Sequence, residues 1–259
     1  MYVLCWVCDT ISTDFTLQND LIFNNKQDYL KKMMMKLSKL HHSDALGHYF
    51  CSDHLNLAYL RIPKCACTTI ETWMASQHPN FSTSPGLGIH SQAANKTYFD
   101  GIFYKLPDYT NYFRFTLVRD PESRFLSFFY DKLRGASKKP EALQRWKAFG
   151  LHCGMPLIDC LTVLSRLKYT DEFNPHFAPQ HHFLFARGNL RVDFIGRLER
   201  FPVSVQVLHA VSGSTVAFSP RNVVSSGKTK RHLTPKERKL FLKIYQKDYE
   251  LLGYRPGPV

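Results

Sequence analysis

Two short stretches combine cations, hydroxyls and small residues just where a helix is about to begin. The first is Arg61-Ile62-Pro63-Lys64-Cys65-Ala66-Cys67-Thr68-Thr69. Small residues after Lys64 let backbone N–H groups approach an oxyanion, and a helix N-terminus adds roughly half a positive charge. Lys64 and the threonine hydroxyls then complete a cradle for a phosphate. The order is not that of a Walker A loop, because the glycine pair is missing and the lysine precedes the small residues. ATP hydrolysis is therefore not the chemistry expected. The second stretch is Leu117-Val118-Arg119-Asp120-Pro121-Glu122-Ser123-Arg124-Phe125-Leu126-Ser127. Ser127 lies about two helical turns beyond Arg119, on the face of Ser123 and Tyr130. A guanidinium fork and a hydroxyl can hold a second phosphate. Arg124 reads equally as a further phosphate ligand or as an ion-pair partner on the helix surface.

Each stretch needs a strand in front of it and a helix behind it. Asn56 to Ile62 is a short apolar run ending at Pro63, and Phe113-Arg114-Phe115-Thr116-Leu117-Val118 has the apolar character of a strand covered on both faces. Asp120 is a good N-cap, Pro121 suits the first helical position and Glu122 favours the positive helix end. Further helices are expected at about 140–150 and 156–167, and a third strand at Val192–Gly196. A last helix starts after Thr234 and Pro235, with apolar residues recurring from Leu240 to Leu252. Strands alternating with helices predict an α/β fold with a mainly parallel central sheet flanked by helices. Residues 1–55 read as a peripheral segment packed on a domain of residues 56–259, and Lys31 to Lys39 as a peripheral helix within it. Residues 76–97 read as an irregular loop.

The 259 residues carry 34 Lys+Arg against 21 Asp+Glu, a formal charge of +13, and 44% of them are hydrophobic, which excludes disorder and allows a sizeable core. No run approaches the roughly 18–20 apolar residues that cross a bilayer, and the start of the chain is a poor secretory signal. Seven cysteines are too sparse for a disulfide scaffold and are expected mostly reduced. Cys5, Cys8, Cys51 and His54 could be drawn as a zinc site, but no second closely spaced pair follows, and no metal is expected. The sequons at Asn80 and Asn95 barely bear on compartment. A basic nucleic-acid-binding module would suit the charge and the cations of residues 228–243, yet no such motif is present and no nucleic acid is expected. A nucleotide kinase would need an evident Mg²⁺-binding carboxylate, which is lacking. A glycan-binding protein without catalysis is a third alternative.

The two stretches together, followed by Asn174-Pro175-His176-Phe177-Ala178-Pro179-Gln180, by Asp193-Phe194-Ile195-Gly196-Arg197-Leu198-Glu199 and by Tyr245-x-x-Asp248-Tyr249 with Gly253-Tyr254, resemble the sulfotransferases that use 3′-phosphoadenosine 5′-phosphosulfate (PAPS), and most closely their carbohydrate branch. The resemblance spans about residues 56–254 in the family's order. It implies a single P-loop-like domain in which Lys64, Cys65, Ala66, Cys67, Thr68 and Thr69 hold the 5′-phosphosulfate and Arg119 and Ser127 hold the 3′-phosphate. It implies that Lys64 acts in catalysis, and that Lys228, Lys230 and Arg231 belong to a loop closing over the donor. His90, between the two phosphate stretches, is the expected base, with His176 as second choice. His176 and Gln180 are expected to line the acceptor side. His181 and His182 are read as packing. A carbohydrate or other hydroxyl acceptor follows from the resemblance, while oligomeric state does not. The family's membrane anchor is missing here, so a cytoplasmic location is expected, or the Golgi lumen if an anchor precedes this chain.

Overall fold

The fold comes from a computed structural model, described over residues 48–78, 102–103, 112–134, 146–167, 173–186, 188–219 and 232–257. A five-stranded sheet runs in the order β3-β1-β2-β4-β7, built from β1 (Tyr49–Ser52), β2 (Leu57–Leu60), β3 (Ile102–Phe103), β4 (Phe113–Val118) and β7 (Phe194–Arg197). β2, β4 and β7 are parallel, with Tyr59 beside Phe115 and Phe115 beside Phe194. β1 and β3 add an antiparallel edge. All four residues of β2 and the last four of β4 are buried, so helices or loops cover both faces there. The mainly parallel α/β architecture flanked by helices is the one expected. A small hairpin, β5 (Phe185–Ala186) with β6 (Asn189–Leu190), stands apart from this sheet.

The sheet begins at Tyr49, ahead of the boundary expected at residue 56. Tyr49–Ser52 pairs with β2 along its whole length and is buried throughout, which makes it part of the domain core. The turn between them closes on Asn56, whose φ of 51° suits a residue that tolerates the left-handed region.

Helix α1 (Cys67–Ser76) follows β2, and α2 (Pro121–Phe128) follows β4 with Asp120 capping it by accepting from the Ser123 N–H at 2.8 Å. The chain then widens into a π-helix, Phe129–Arg134. Of the helix expected at 140–150, the described part is helical only at 146–147 before a turn to Gly150. α3 (Leu157–Leu164) is as expected, and the third strand is shifted to begin at Phe194. α4 (His181–Leu184) is a single turn, and α5 (Phe201–Ser212) has no counterpart among the expected elements. Its opening Phe201-Pro-Val203-Ser-Val205-Gln-Val207 alternates every second residue, a strand period overridden by packing against β7. Gly196 permits that approach: a Cβ there would meet Ser204 Oγ at 2.5 Å and Leu117 Cδ2 at 2.6 Å.

The last helix, α6 (Pro235–Leu252), carries the expected start. Thr234 accepts from the Glu237 N–H while Glu237 accepts from the Thr234 N–H, and the helix ends at Gly253 with φ 65°. Its inner face sets Phe241 and Tyr245 against Phe125 of α2, each at 5.7 Å between rings. The expected helix at 31–39 and the loop at 79–97 lie outside the described residues.

Candidate active site

β2 and β4 end side by side, and each hands its chain to a cation-bearing turn at its C-terminal edge. In the first turn Lys64 and Ala66 take the left-handed backbone, at φ 71° and 59°, and Ala66 at the N-cap of α1 makes no side-chain capping hydrogen bond. Two non-glycine residues in that region cost on the order of 1–3 kcal/mol each, and such strain persists only where the surroundings over-determine it.

Three side chains supply that constraint. Arg124 is buried and donates to the carbonyls of Pro63 at 3.0 Å, Ala178 at 2.6 Å and Pro175 at 3.1 Å. It is neither the phosphate ligand nor the surface ion-pair partner that the sequence allows, because the turn leading into α2 aims it into the core. Arg119 Nη1 donates to the Lys64 carbonyl at 3.4 Å, which brings the two turns onto one rim. Gln180 is fully buried: its Oε1 accepts from the Arg119 N–H at 2.9 Å and from Cys65 Sγ at 3.4 Å, and its Nε2 donates to the Arg119 carbonyl at 2.7 Å. Its expected place on the acceptor side is corrected by this clamp, which spends both ends of the amide inside the protein.

A family comparison bears directly on this rim. A sequence model of the sulfotransferase family matches residues 47–255, taking in both turns and the Gln180 segment. The chain belongs to the sulfotransferase family. No curated protein and no solved structure shows a significant match. The sulfotransferase is thus an enzyme that transfers sulfate to a hydroxyl-bearing acceptor.

The loop's other residues divide between inside and outside. The Cys65 thiol is buried, and burial pushes it up to about 12, so it stays neutral and packs against Gln180. Thr69 is buried, whereas Ala66, Cys67 and Thr68 are half-buried at the start of α1. The Lys64 side chain crosses to the π-helix, where Nζ donates to Asp131 Oδ2 at 2.8 Å, and Lys132 Nζ lies 3.0 Å from the same oxygen. Partial burial works to raise the Asp131 carboxyl, but Lys64 and Lys132 outweigh it and hold it below the ordinary range. Asp131 is absent from the sequence-based site, although its spacing from Ser127 on one helix face could have pointed to it. Ser123, Ser127 and Tyr130 are the half-exposed residues of that face.

His176 Nδ1 pairs with Asn174 Oδ1 at 2.9 Å, and its ring stands edge-on to Trp146. Burial, then the fields of Lys132, Arg61, Lys64 and Arg124, push it down to about 3, so the imidazole is neutral at ordinary pH. With Nδ1–H spent on the amide oxygen, Nε2 keeps a lone pair. His181 pairs with the buried Asp248 at 2.7 Å, and His182 packs edge-on to Phe173 and His181. His90, Lys228, Lys230 and Arg231 lie outside the described residues, as do Cys5 and Cys8. Among the described residues no group of three or more His, Cys, Asp or Glu gathers for a metal, and no helix is long and apolar enough to cross a membrane.

Proposed function

We propose that the sulfotransferase moves a sulfuryl group from PAPS to a carbohydrate hydroxyl. The observation that carries this reading is the Arg119 to Lys64 contact, which joins two cationic turns at the ends of neighbouring parallel strands. Such a rim suits a donor with phosphates at both ends of one nucleoside, and ligands of open α/β sheets bind at this edge. The uncapped start of α1 and the left-handed loop before it suit the 5′-phosphosulfate, while Arg119 and Ser127 suit the 3′-phosphate.

In this reading the acceptor oxygen forms a bond to sulfur as the bond from sulfur to the bridging oxygen breaks. The electron pair stays on the 5′-phosphate, where Lys64 meets the growing charge, a role that requires no metal. The acceptor proton goes to a histidine. His90 is proposed from the resemblance; for His176 the Nε2 lone pair speaks in favour, while the burial and cations that push it down to about 3 make it a weak base. Lys228, Lys230 and Arg231 are proposed to close over the donor.

Thermal shift with adenosine 3′,5′-bisphosphate, ATP and short DNA, each without Mg²⁺, tests the donor. Selective stabilisation by the bisphosphate is expected. Arg119→Ala and Ser127→Ala should each weaken it by on the order of 1.5–3 kcal/mol. Equal stabilisation by ATP or DNA would overturn the assignment. A panel of glycans, phenols and small alcohols with labelled donor then tests the acceptor.

A further inference from the structure

The Lys64 ammonium has an anionic partner within the protein itself. Asp131 Oδ2 holds it at 2.8 Å; the Lys64 side chain is 17% exposed and that of Asp131 42%, so the lysine is partly withdrawn from water while its partner faces solvent. The carboxylate belongs to the π-helix that continues α2, the same run that begins at Arg119 and carries Ser127. π-helical turns are rare and occur frequently at functional sites. Here one sets a carboxylate beside the loop lysine. Lys132 shares the same oxygen at 3.0 Å, so the cluster keeps a net positive charge.

Resting on the sulfotransferase reading above, we propose that Asp131 is a positioning residue: it is the counter-ion that orients Lys64 and competes for it with the bound phosphosulfate. An ammonium shared with Asp131 is only partly spent on the bound donor. As charge grows on the departing phosphate oxygen, the balance shifts from the carboxylate towards that oxygen. Part of the Lys64 attraction is thus withheld from the bound state and realised in the transition state, where it raises the rate rather than the affinity.

Asp131→Asn keeps the side chain's shape and removes its charge. It should bind adenosine 3′,5′-bisphosphate about fivefold more tightly, because Lys64 is released to the ligand. In single turnover at saturating donor its rate should fall, and Asp131→Glu should restore both quantities towards the parent. The gain in affinity should vanish when Lys64→Ala is present as well, since the effect acts through Lys64. Equal or weaker bisphosphate binding by a folded Asp131→Asn protein overturns the proposal. So does a gain that persists with Lys64→Ala, which would mean simple loss of a negative charge. If Lys64→Ala alone alters neither bisphosphate binding nor turnover, the reading of the site itself fails, a result distinct from the failure of Asp131.

Discussion

Arg124 is among the largest fully buried side chains, and its guanidinium ends on the carbonyls of Pro63, Pro175 and Ala178 rather than on a ligand. One planar fork therefore holds the entry to the Lys64 loop and the segment that carries His176. Lysine in its place keeps the charge but lacks the fork, so at least one buried carbonyl loses its donor. That loss costs about 1–3 kcal/mol per group. Arg124→Lys is expected to unfold at lower urea and, with Lys64 and Arg119 intact, to bind adenosine 3′,5′-bisphosphate more weakly. Unchanged urea midpoint and affinity would show that the loop holds its strained backbone without this anchor. Gln180 works in the same manner on the other junction, with its amide closed around the Arg119 backbone.

At the scale of elements, the contact of β7 with α5 controls where the second junction sits. Asp120 N–H donates to Glu199, just after β7, at 2.7 Å, and Glu199 accepts from Tyr254 at 2.8 Å. A side chain at residue 196 would wedge β7 from α5, since the Cβ would fall 2.5 Å from Ser204 Oγ and 2.6 Å from Leu117 Cδ2. Forced overpacking of this kind costs typically about 1–3 kcal/mol. Gly196→Ala should lose stability by that amount in chemical denaturation, and Gly196→Ala combined with Ser204→Gly should recover part of it. No recovery would place the strain on Leu117 alone. The Thr234 and Glu237 capping box is a more local device, fixing where α6 begins without reference to the sheet.

For the whole molecule, the most consequential ionisations are two histidines held neutral. Burial, with the nearby cations, pushes both His176 and His182 down from 6.5 to about 3. Between those values the unfolded chain binds protons that the folded chain refuses, so stability rises with pH across the interval. The contribution is complete above about pH 6.5 and is lost progressively as pH falls towards about 3. Melting temperature should decline along that limb. His182→Phe, which replaces a ring whose buried Nδ1 has no hydrogen-bond partner among the described residues, should flatten it. An acid limb as steep as the parent's would assign the loss to other groups. Asp248 is held charged rather than neutral and adds to the same acid limb: burial works to raise it, but His181 and the Gln180 and His181 N–H groups outweigh burial and keep its carboxyl below the ordinary range. Its carboxylate ties α6 to the segment whose Gln180 clamps Arg119, so the C-terminal helix bears on the site.

Features whose causes lie within a turn or two of chain are legible in the residues alone. The β4 strand, the Asp120 cap with Pro121, the Thr234 start of α6 and the ordered motifs that lead to the sulfotransferase family are all of this kind. Caps and periodicities depend on neighbouring residues, and those are legible in one dimension. That Arg124 faces inward, that Gln180 is a clamp, that Tyr49–Ser52 completes the sheet and that Lys64 meets Asp131 emerges only from the packed chain. The side-chain pairings among these span 51 to 115 residues of chain, and no local rule decides which of several exposed or buried partners a long polar side chain will find. That choice is made when parallel strands set the two turns side by side, because burial then makes every unmatched donor or carbonyl costly and leaves one arrangement that satisfies them together.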